Sequence, residues 1–253
     1  MDNFIKSLIT STTDEKMRAI QYLICRGFLL KKKGEEWYVS DNSHKEDISE
    51  LNDILQKYKI GEINKRRIVW RDNINADVLR EMFDCEYQKS FETTSNERSW
   101  QWFRRREHGY KVATMDLEPF VALYVKAISA CGIETYFSCD GDNHGDSAIK
   151  IGMNGFPNIF WHKLIWIKIL NDKFNLPWER EYLFIGLDSN KFTYYTELNR
   201  AAKYLYDNRI KFRQMKKEVM SILTPAKEKV MTDDEIKRLI KSRMEDYLMK
   251  HKF

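Results

Sequence analysis

The chain is poor in the residues that build linkers and covalent frameworks. Its 253 residues include only 10 glycines, 4 prolines and 4 cysteines. So few glycines and prolines argue against long flexible linkers. The four cysteines are scattered without paired spacing, which argues against a disulfide framework. We therefore expect reduced thiols in a cytoplasmic protein.

Long apolar runs are also missing. The first residues lack the basic start and apolar stretch of a secretion signal. The longest apolar segment, 159–170, is interrupted by His162, Lys163 and Lys168, so it is too short and too charged to span a bilayer. We expect no association with a membrane.

The composition nevertheless supports a folded core and an anionic partner. Apolar residues make up 43% of the chain and aromatic residues 13%, while the net charge is +5. Residues 200–253 hold 15 lysines and arginines against 8 acids, an excess of seven positive charges. A basic segment of this kind is typical of nucleic-acid binding, although it is equally typical of solvated helix surfaces.

The periodicity of the chain predicts an α+β fold. Residues 14–25 have helical spacing, with Asp14 as N-cap and Gly27 as stop, and a basic hairpin follows over 28–39. This predicts a small N-terminal α+β region, with a winged-helix-like module as the alternative. Further helices are predicted over 45–58 and 76–83, with a short strand at 67–70. No internal repeat is evident.

The centre predicts a mostly antiparallel sheet with helices on one face. Strands are expected at 110–115, 133–137, 148–153 and 182–185, with helices over 120–131 and 160–170. A long helix from about 193 should break at Thr224–Pro225, and Thr232 should cap a last helix. We expect three regions: 1–95, a central domain over 96–190, and a basic helical region over 191–253.

Acidic residues concentrate in the central region. If Asp116 and Glu118 continue the strand at 110–115, their side chains share one face of the sheet. Two carboxylates so placed can hold Mg²⁺ or Mn²⁺, and Asp188 after a later strand would supply a third ligand. His144 would contact a nucleotide phosphate. Arg104, Arg105 and Arg106, interleaved with aromatic residues, would bind nucleic acid or phosphate.

This order of motifs resembles the archaeo-eukaryotic primase and primase-polymerase superfamily. Asp116 and Glu118 match its first acidic motif, Ser138 and His144 its serine–histidine motif, and Asp188 its last acid. The resemblance covers about 75 residues and implies a nucleotidyltransferase that uses a divalent metal. Cys139–Asn143, between the serine and the histidine, is more acidic than the family pattern.

Two other interpretations of the same residues stay open. Asp140, Asp142, His144 and Asp146 alternate as in the start of a calcium loop, although a strand leads in and Ile151 stands where a glutamate is needed. Alternatively, Asp116 is the N-cap of the next helix, with Glu118 and Pro119 in its first turn, and 138–146 is a polar surface loop.

The sequence therefore predicts one of two functions. The first is a metal-dependent nucleotidyltransferase that acts on nucleic acid. The second is a non-catalytic nucleic-acid-binding or complex-forming accessory protein, of the kind used by phages or antiviral defence systems. In either case the C-terminal helices could contact a protein partner or a second copy of the chain.

Overall fold

The computed structural model describes two long segments of the chain, 14–84 and 191–228, and several shorter ones between and after them. The described residues are 14–84, 114–117, 119, 121–132, 135–139, 147–151, 173–174, 176, 178–179, 182–185, 191–228, and separate residues between 232 and 249. The predicted helix over 160–170 and the arginines 104–106 lie outside them. The architecture is α+β with antiparallel sheets, as predicted.

The first helix, α1 (Glu15–Cys25), begins and ends at the residues that the sequence predicts. The Asp14 carboxylate accepts hydrogen bonds from the backbone N–H groups of Lys16 (2.9 Å) and Met17 (3.4 Å). Gly27 follows the helix with φ +100°, and Phe28 N–H donates back to Leu23 O at 2.9 Å. This closure satisfies the last carbonyl groups of the helix.

Glycine at position 27 is required both by its backbone conformation and by the space around it. A Cβ added there would lie 2.8 Å from Ala122 Cβ, whereas a Cβ at Gly34 (φ +61°) would have nothing within 4 Å. We expect Gly27→Ala to lower the free energy of unfolding by about 2 kcal/mol, because left-handed strain and overpacking both act. Gly34→Ala is the matched control and should cost about 1 kcal/mol, since only the strain acts. Urea denaturation measures both, and equal losses would contradict this explanation.

The N-terminal region contains a structural repeat that is not evident in the sequence. The first unit is α1, β1 (Leu30–Lys33) and β2 (Glu36–Val39). The second is α2 (Lys45–Lys57), β3 (Gly61–Asn64) and β4 (Arg67–Trp70). Lys59 (φ +54°) ends α2 as Gly27 ends α1, and Ile60 N–H donates to Leu55 O at 3.0 Å.

The two units join through their second strands into one sheet of order β1-β2-β4-β3. Tyr38 pairs with Arg67 across the antiparallel β2–β4 contact. Two equivalent hairpins that meet in this way are related by a local two-fold arrangement. Within residues 14–84, a hairpin separates α1 from α2, so these two helices do not form the helix–turn–helix of a winged helix. Helix α3 (Ala76–Asp84) follows the sheet.

Helix α4 (Ala122–Ala130) is the centre of the core. Eight of its nine residues are buried, as expected of a helix that is apolar on nearly all sides. Gly132 follows it with φ +83°. Helix α4 contacts α1 and the long helix α5 (Lys191–Glu228).

Helix α5 folds back on the molecule instead of projecting from it. Its buried positions include Leu198, Leu205, Phe212 and Met215. It runs through Thr224–Pro225 to Glu228, so the predicted break there is wrong. Proline inside a helix removes one hydrogen bond and need not end the helix. Further on, Thr232 and Glu235 form the reciprocal cap that the sequence predicts, with Thr232 N donating to Glu235 Oε2 at 2.8 Å.

The second sheet is also antiparallel, with order β5-β6-β8-β7. Its strands are β5 (Thr135–Cys139), β6 (Ser147–Ile151), β7 (Trp178–Glu179) and β8 (Tyr182–Ile185). The predicted strands at 133–137, 148–153 and 182–185 are therefore confirmed, with boundaries shifted by up to two residues.

Candidate functional site

Asp116, the first acid of the motif, lies in a tight turn and not in a strand. Residues Thr114–Asp116 form a 3₁₀ helix, closed by a hydrogen bond of 3.2 Å from Leu117 N to Thr114 O. The strand predicted over 110–115 is thus wrong at its last two residues. Asp116 is not on a strand face, and Glu118 lies outside the described residues.

The interpretation of Asp116 as the helix N-cap is also wrong. Helix α4 begins only at Ala122, with Val121 as its N-cap and no capping side chain. Between the turn and the helix, Leu117 and Pro119 are buried, as is Met115 before them. Buried residues at 115, 117 and 119 therefore fix the backbone on either side of positions 116 and 118.

The backbone of the turn is held by two charged residues of the N-terminal region. The Glu50 carboxylate accepts from Thr114 N–H (Oε2, 2.7 Å) and from Met115 N–H (Oε1, 2.9 Å). The guanidinium of the fully buried Arg26 donates to Met115 O and, through Nε, to Met115 Sδ at 3.3 Å. Glu50, although distant along the chain, thus accepts hydrogen bonds from the first N–H groups of the turn, as a capping side chain does at the start of a helix.

The side chain of Thr114 is held by a buried ion pair. Lys126 Nζ (1% exposed) lies 3.2 Å from Asp47 Oδ1. The Lys126 ammonium also donates to Thr114 Oγ1 and to Gly27 O, both at 2.9 Å. The Thr114 hydroxyl donates in turn to Asp47 Oδ1 at 3.0 Å. The ammonium therefore has a partner for each of its three protons, as a buried charge requires.

We call Arg26, Asp47, Glu50 and Lys126 the anchor cluster. It contains two cations and two anions, and it joins α1, α2 and α4 to the turn that carries Asp116. Sequence reasoning missed it, because its partners lie far apart along the chain. One signal was present: Lys126 interrupts the apolar run Ala122–Ala130, where a lysine needs a buried partner.

Helix α4 is followed closely by the first strand of the second sheet. Only four residues separate α4 from β5, and the two elements contact each other. Helix α4 therefore connects the turn with Asp116, which precedes it, to the second sheet, which follows it.

Strand pairing brings the ends of β5, β6 and β8 together. Cys139 at the end of β5 pairs with Ala148, and Ser147 at the start of β6 pairs with Ile185 at the end of β8. His144 precedes Ser147 by three residues, and Asp188 follows Ile185 by three. The segments with these two residues thus leave the sheet at one end, and Ser138 lies in β5 at the same end.

Most of the predicted site residues lie outside the described residues. These are Glu118, His144 and Asp188, the arginines at 104–106, and the alternative metal ligands Asp140, Asp142 and Asp146. Their convergence stays a prediction. Within the part of the chain that the structure describes, no group of three or more histidines, cysteines and acids is placed to hold a metal ion.

Several cations of the C-terminal region have structural roles. Arg213 Nε donates to Ala130 O at 2.7 Å, and Lys216 Nζ donates to Gly132 O. Both cations thereby stabilise the C-terminal end of α4, where the helix dipole favours positive charge. Arg209 donates to Asn42 Oδ1 at 2.6 Å. Part of the basic excess therefore serves internal packing.

Other cations of α5 face solvent. Arg200, Lys203 and Lys217 are exposed at positions that recur on one side of the helix. Ile210, between them along the helix, is 74% exposed. We call this side of α5, with Arg200, Lys203, Ile210 and Lys217, the basic helix face.

Cys25 and Cys131 are unsuited to act as nucleophiles. Burial raises the pKa of the Cys25 thiol to about 12 and raises that of Cys131 further still. A thiol with so high a pKa stays protonated, and the thiolate is the nucleophile. Cys131 Sγ instead lies 3.4 Å from Leu205 O, where it joins α4 to α5.

Comparison with known proteins adds no relative. No family model matches the chain, and no curated protein and no solved structure resembles it significantly. Among the described helices, none is long and apolar enough to cross a membrane. Function must therefore be inferred from the residues and their arrangement.

Proposed function

We propose that the protein is a cytoplasmic, divalent-metal-dependent nucleotidyltransferase that acts on nucleic acid. The observation that carries the proposal is the topology at one end of the second sheet. The end of β5, the start of β6 and the end of β8 are neighbours there. Ser138 lies at that end of β5, and the segments with His144 and Asp188 adjoin the same end along the chain. We propose that Asp116, in the turn before α4, meets them there.

The donor chemistry suits the proposal. Asp116, Glu118 and Asp188 offer carboxylate oxygens, which are the ligands that Mg²⁺ and Mn²⁺ prefer. A metal held by them would neutralise the phosphate charge that develops during nucleotidyl transfer. His144 and the arginines 104–106 would contact phosphate groups of the substrate and of the nucleic acid.

Metal-dependent incorporation of nucleotides tests the proposal. The full chain is incubated with labelled ribonucleotides or deoxyribonucleotides, with primed and unprimed DNA and RNA, and with Mg²⁺, Mn²⁺ or EDTA. We expect labelled product with a metal and none with EDTA. Absence of product under every combination would contradict the nucleotidyltransferase assignment.

A second candidate, a non-catalytic nucleic-acid-binding protein, rests on the basic helix face. Its cations Arg200, Lys203 and Lys217 can contact phosphates along one side of α5. The catalytic and the non-catalytic candidates both predict affinity for nucleic acid that falls as salt rises. Only the enzyme predicts incorporation. Association through the C-terminal helices with a protein partner or a second copy stays a prediction.

The basic helix face makes a separate, measurable prediction. We expect Lys203→Gln with Lys217→Gln to weaken binding to DNA or RNA and to reduce the slope of log affinity against log salt by about 1–2, since each lost phosphate contact removes about 0.7–0.9. Fluorescence anisotropy over a salt series measures this. Lys57→Gln, an exposed lysine at the end of α2, is the control. An unchanged slope would remove this face from the binding surface.

A further inference from the structure

We infer that Glu50 is a positioning residue for the acidic motif, and that the anchor cluster sets the place of Asp116 from the N-terminal repeat. The inference rests on the proposed function for its catalytic consequence. Its structural basis is the two-point contact of one carboxylate with Thr114 N–H and Met115 N–H, at 2.7 and 2.9 Å.

A turn of this length cannot hold its own position. A three-residue 3₁₀ helix closes few internal hydrogen bonds, and short helices are marginal without tertiary contacts. The turn is held from outside instead: Glu50 binds its N–H groups, Arg26 binds Met115 O, and Asp47 with Lys126 binds the Thr114 hydroxyl. Every external hydrogen bond named here falls on the two residues before Asp116.

The turn is held by buried charges, which cost more free energy than an ordinary polar cap. Nearby serine or asparagine side chains commonly cap helix starts at little cost. Here the ion pair of Asp47 and Lys126 is buried, at 3% and 1% exposed, and Arg26 is fully buried. Burying charges is costly and is best attested where it fixes a unique arrangement. We attribute this cost to the need to hold Thr114 and Met115, and with them Asp116, in one fixed position.

The role differs between Glu50 and its neighbours on the same helix. Asp53 lies three residues further along α2 and is exposed. Glu50→Gln keeps the size of the side chain but puts an amide NH₂ where one of the two acceptors was, so one backbone N–H loses its partner. Glu50→Asp keeps the charge but shortens the reach. Asp53→Asn is the matched control for loss of one acid from α2.

Two readouts on the full chain test the inference. The first is amide hydrogen exchange at Thr114 and Met115, observed by NMR. We expect Glu50→Gln to accelerate exchange at these two amides by about 10-fold or more, since breaking one charge-assisted hydrogen bond exposes the turn. Asp53→Asn should leave both rates unchanged. Unchanged exchange in Glu50→Gln would overturn the inference.

The second readout is steady-state incorporation, measured where all variants are folded. We expect Glu50→Gln to lower kcat by about 10–100-fold with little change in the KM for nucleotide, as for partners that orient metal ligands. Glu50→Asp should recover part of the loss. An active wild type with an unaffected Glu50→Gln kcat overturns the positioning role and leaves the proposed function intact. An inactive wild type contradicts the proposed function, and the exchange rates alone then decide whether Glu50 holds the turn.

Discussion

Lys126→Met lowers the free energy of unfolding by about 3–5 kcal/mol, because it leaves the Asp47 carboxylate buried without its cation. Lys126 Nζ is also the donor to Thr114 Oγ1 and Gly27 O, so two further oxygen atoms lose a partner. Methionine matches the length of the lysine stem, which limits the effect of a cavity. Urea denaturation followed by circular dichroism measures the loss.

Two comparisons separate the ion pair from general packing. Lys203→Met, at an exposed position of α5, should change stability by no more than about 0.5 kcal/mol. The double variant Lys126→Met with Asp47→Asn should be more stable than Lys126→Met alone, since the uncompensated charge is gone. A loss below about 1 kcal/mol in Lys126→Met, or no recovery in the double variant, would contradict the proposed role of the pair.

Asp116→Asn lowers the rate of nucleotide incorporation by about 1,000-fold under the proposed function. The asparagine keeps the shape of the side chain and removes its charge, and loss of a metal ligand costs several kcal/mol of transition-state stabilisation. The measurement is the incorporation rate at saturating nucleotide and metal, with Asp53→Asn as the control. Unfolding curves should stay close to wild type. A rate within about threefold of wild type would remove Asp116 from the site.

The local elements of the fold could be predicted from the sequence because their signals are local. Apolar spacing with Asp14 and Gly27 gives α1 correctly, and alternation on either side of Gly34 gives the first hairpin. In the second unit, the helix predicted over 45–58 and the strand predicted at 67–70 are confirmed as α2 and β4, whereas β3 (Gly61–Asn64) was not predicted. Lys59 has positive φ before β3, and a lysine carries no sequence signal of such a turn.

The errors come from tertiary contacts that override local pattern. Alternation up to Met115 predicts a strand, but Glu50 and Arg26 hold Thr114 and Met115 in a 3₁₀ turn. The error at Pro225 is of another kind: proline removes one hydrogen bond of the helix, and α5 continues to Glu228 without it. Lys126 interrupts an apolar helix in the sequence, and its partner Asp47, 3.2 Å away in the structure, cannot be identified from local pattern. Sequence separations of 64 to 89 residues within these pairs place them beyond any local rule.

For the candidate site, the sequence predicts the motifs but not their geometry. Its motifs could be found from residue types, because acids, a serine and a histidine recur beside predicted strands. The antiparallel registers bring the ends of β5, β6 and β8 together, while the grouping of the acids with them stays a prediction. The sequence prediction required Asp116 and Glu118 to share one face of a strand, and Asp116 does not lie in a strand. The turn and its anchor cluster replace the strand as the element that would orient the motif.

The most direct test of the central claim is the position of bound Mn²⁺, located by anomalous diffraction from crystals grown with the metal and a nucleotide. The account predicts an anomalous peak within direct ligand distance of the carboxylates of Asp116, Glu118 and Asp188. A peak among Asp140, Asp142 and Asp146, or no peak near Asp116 in crystals that contain Mn²⁺ elsewhere, would contradict it.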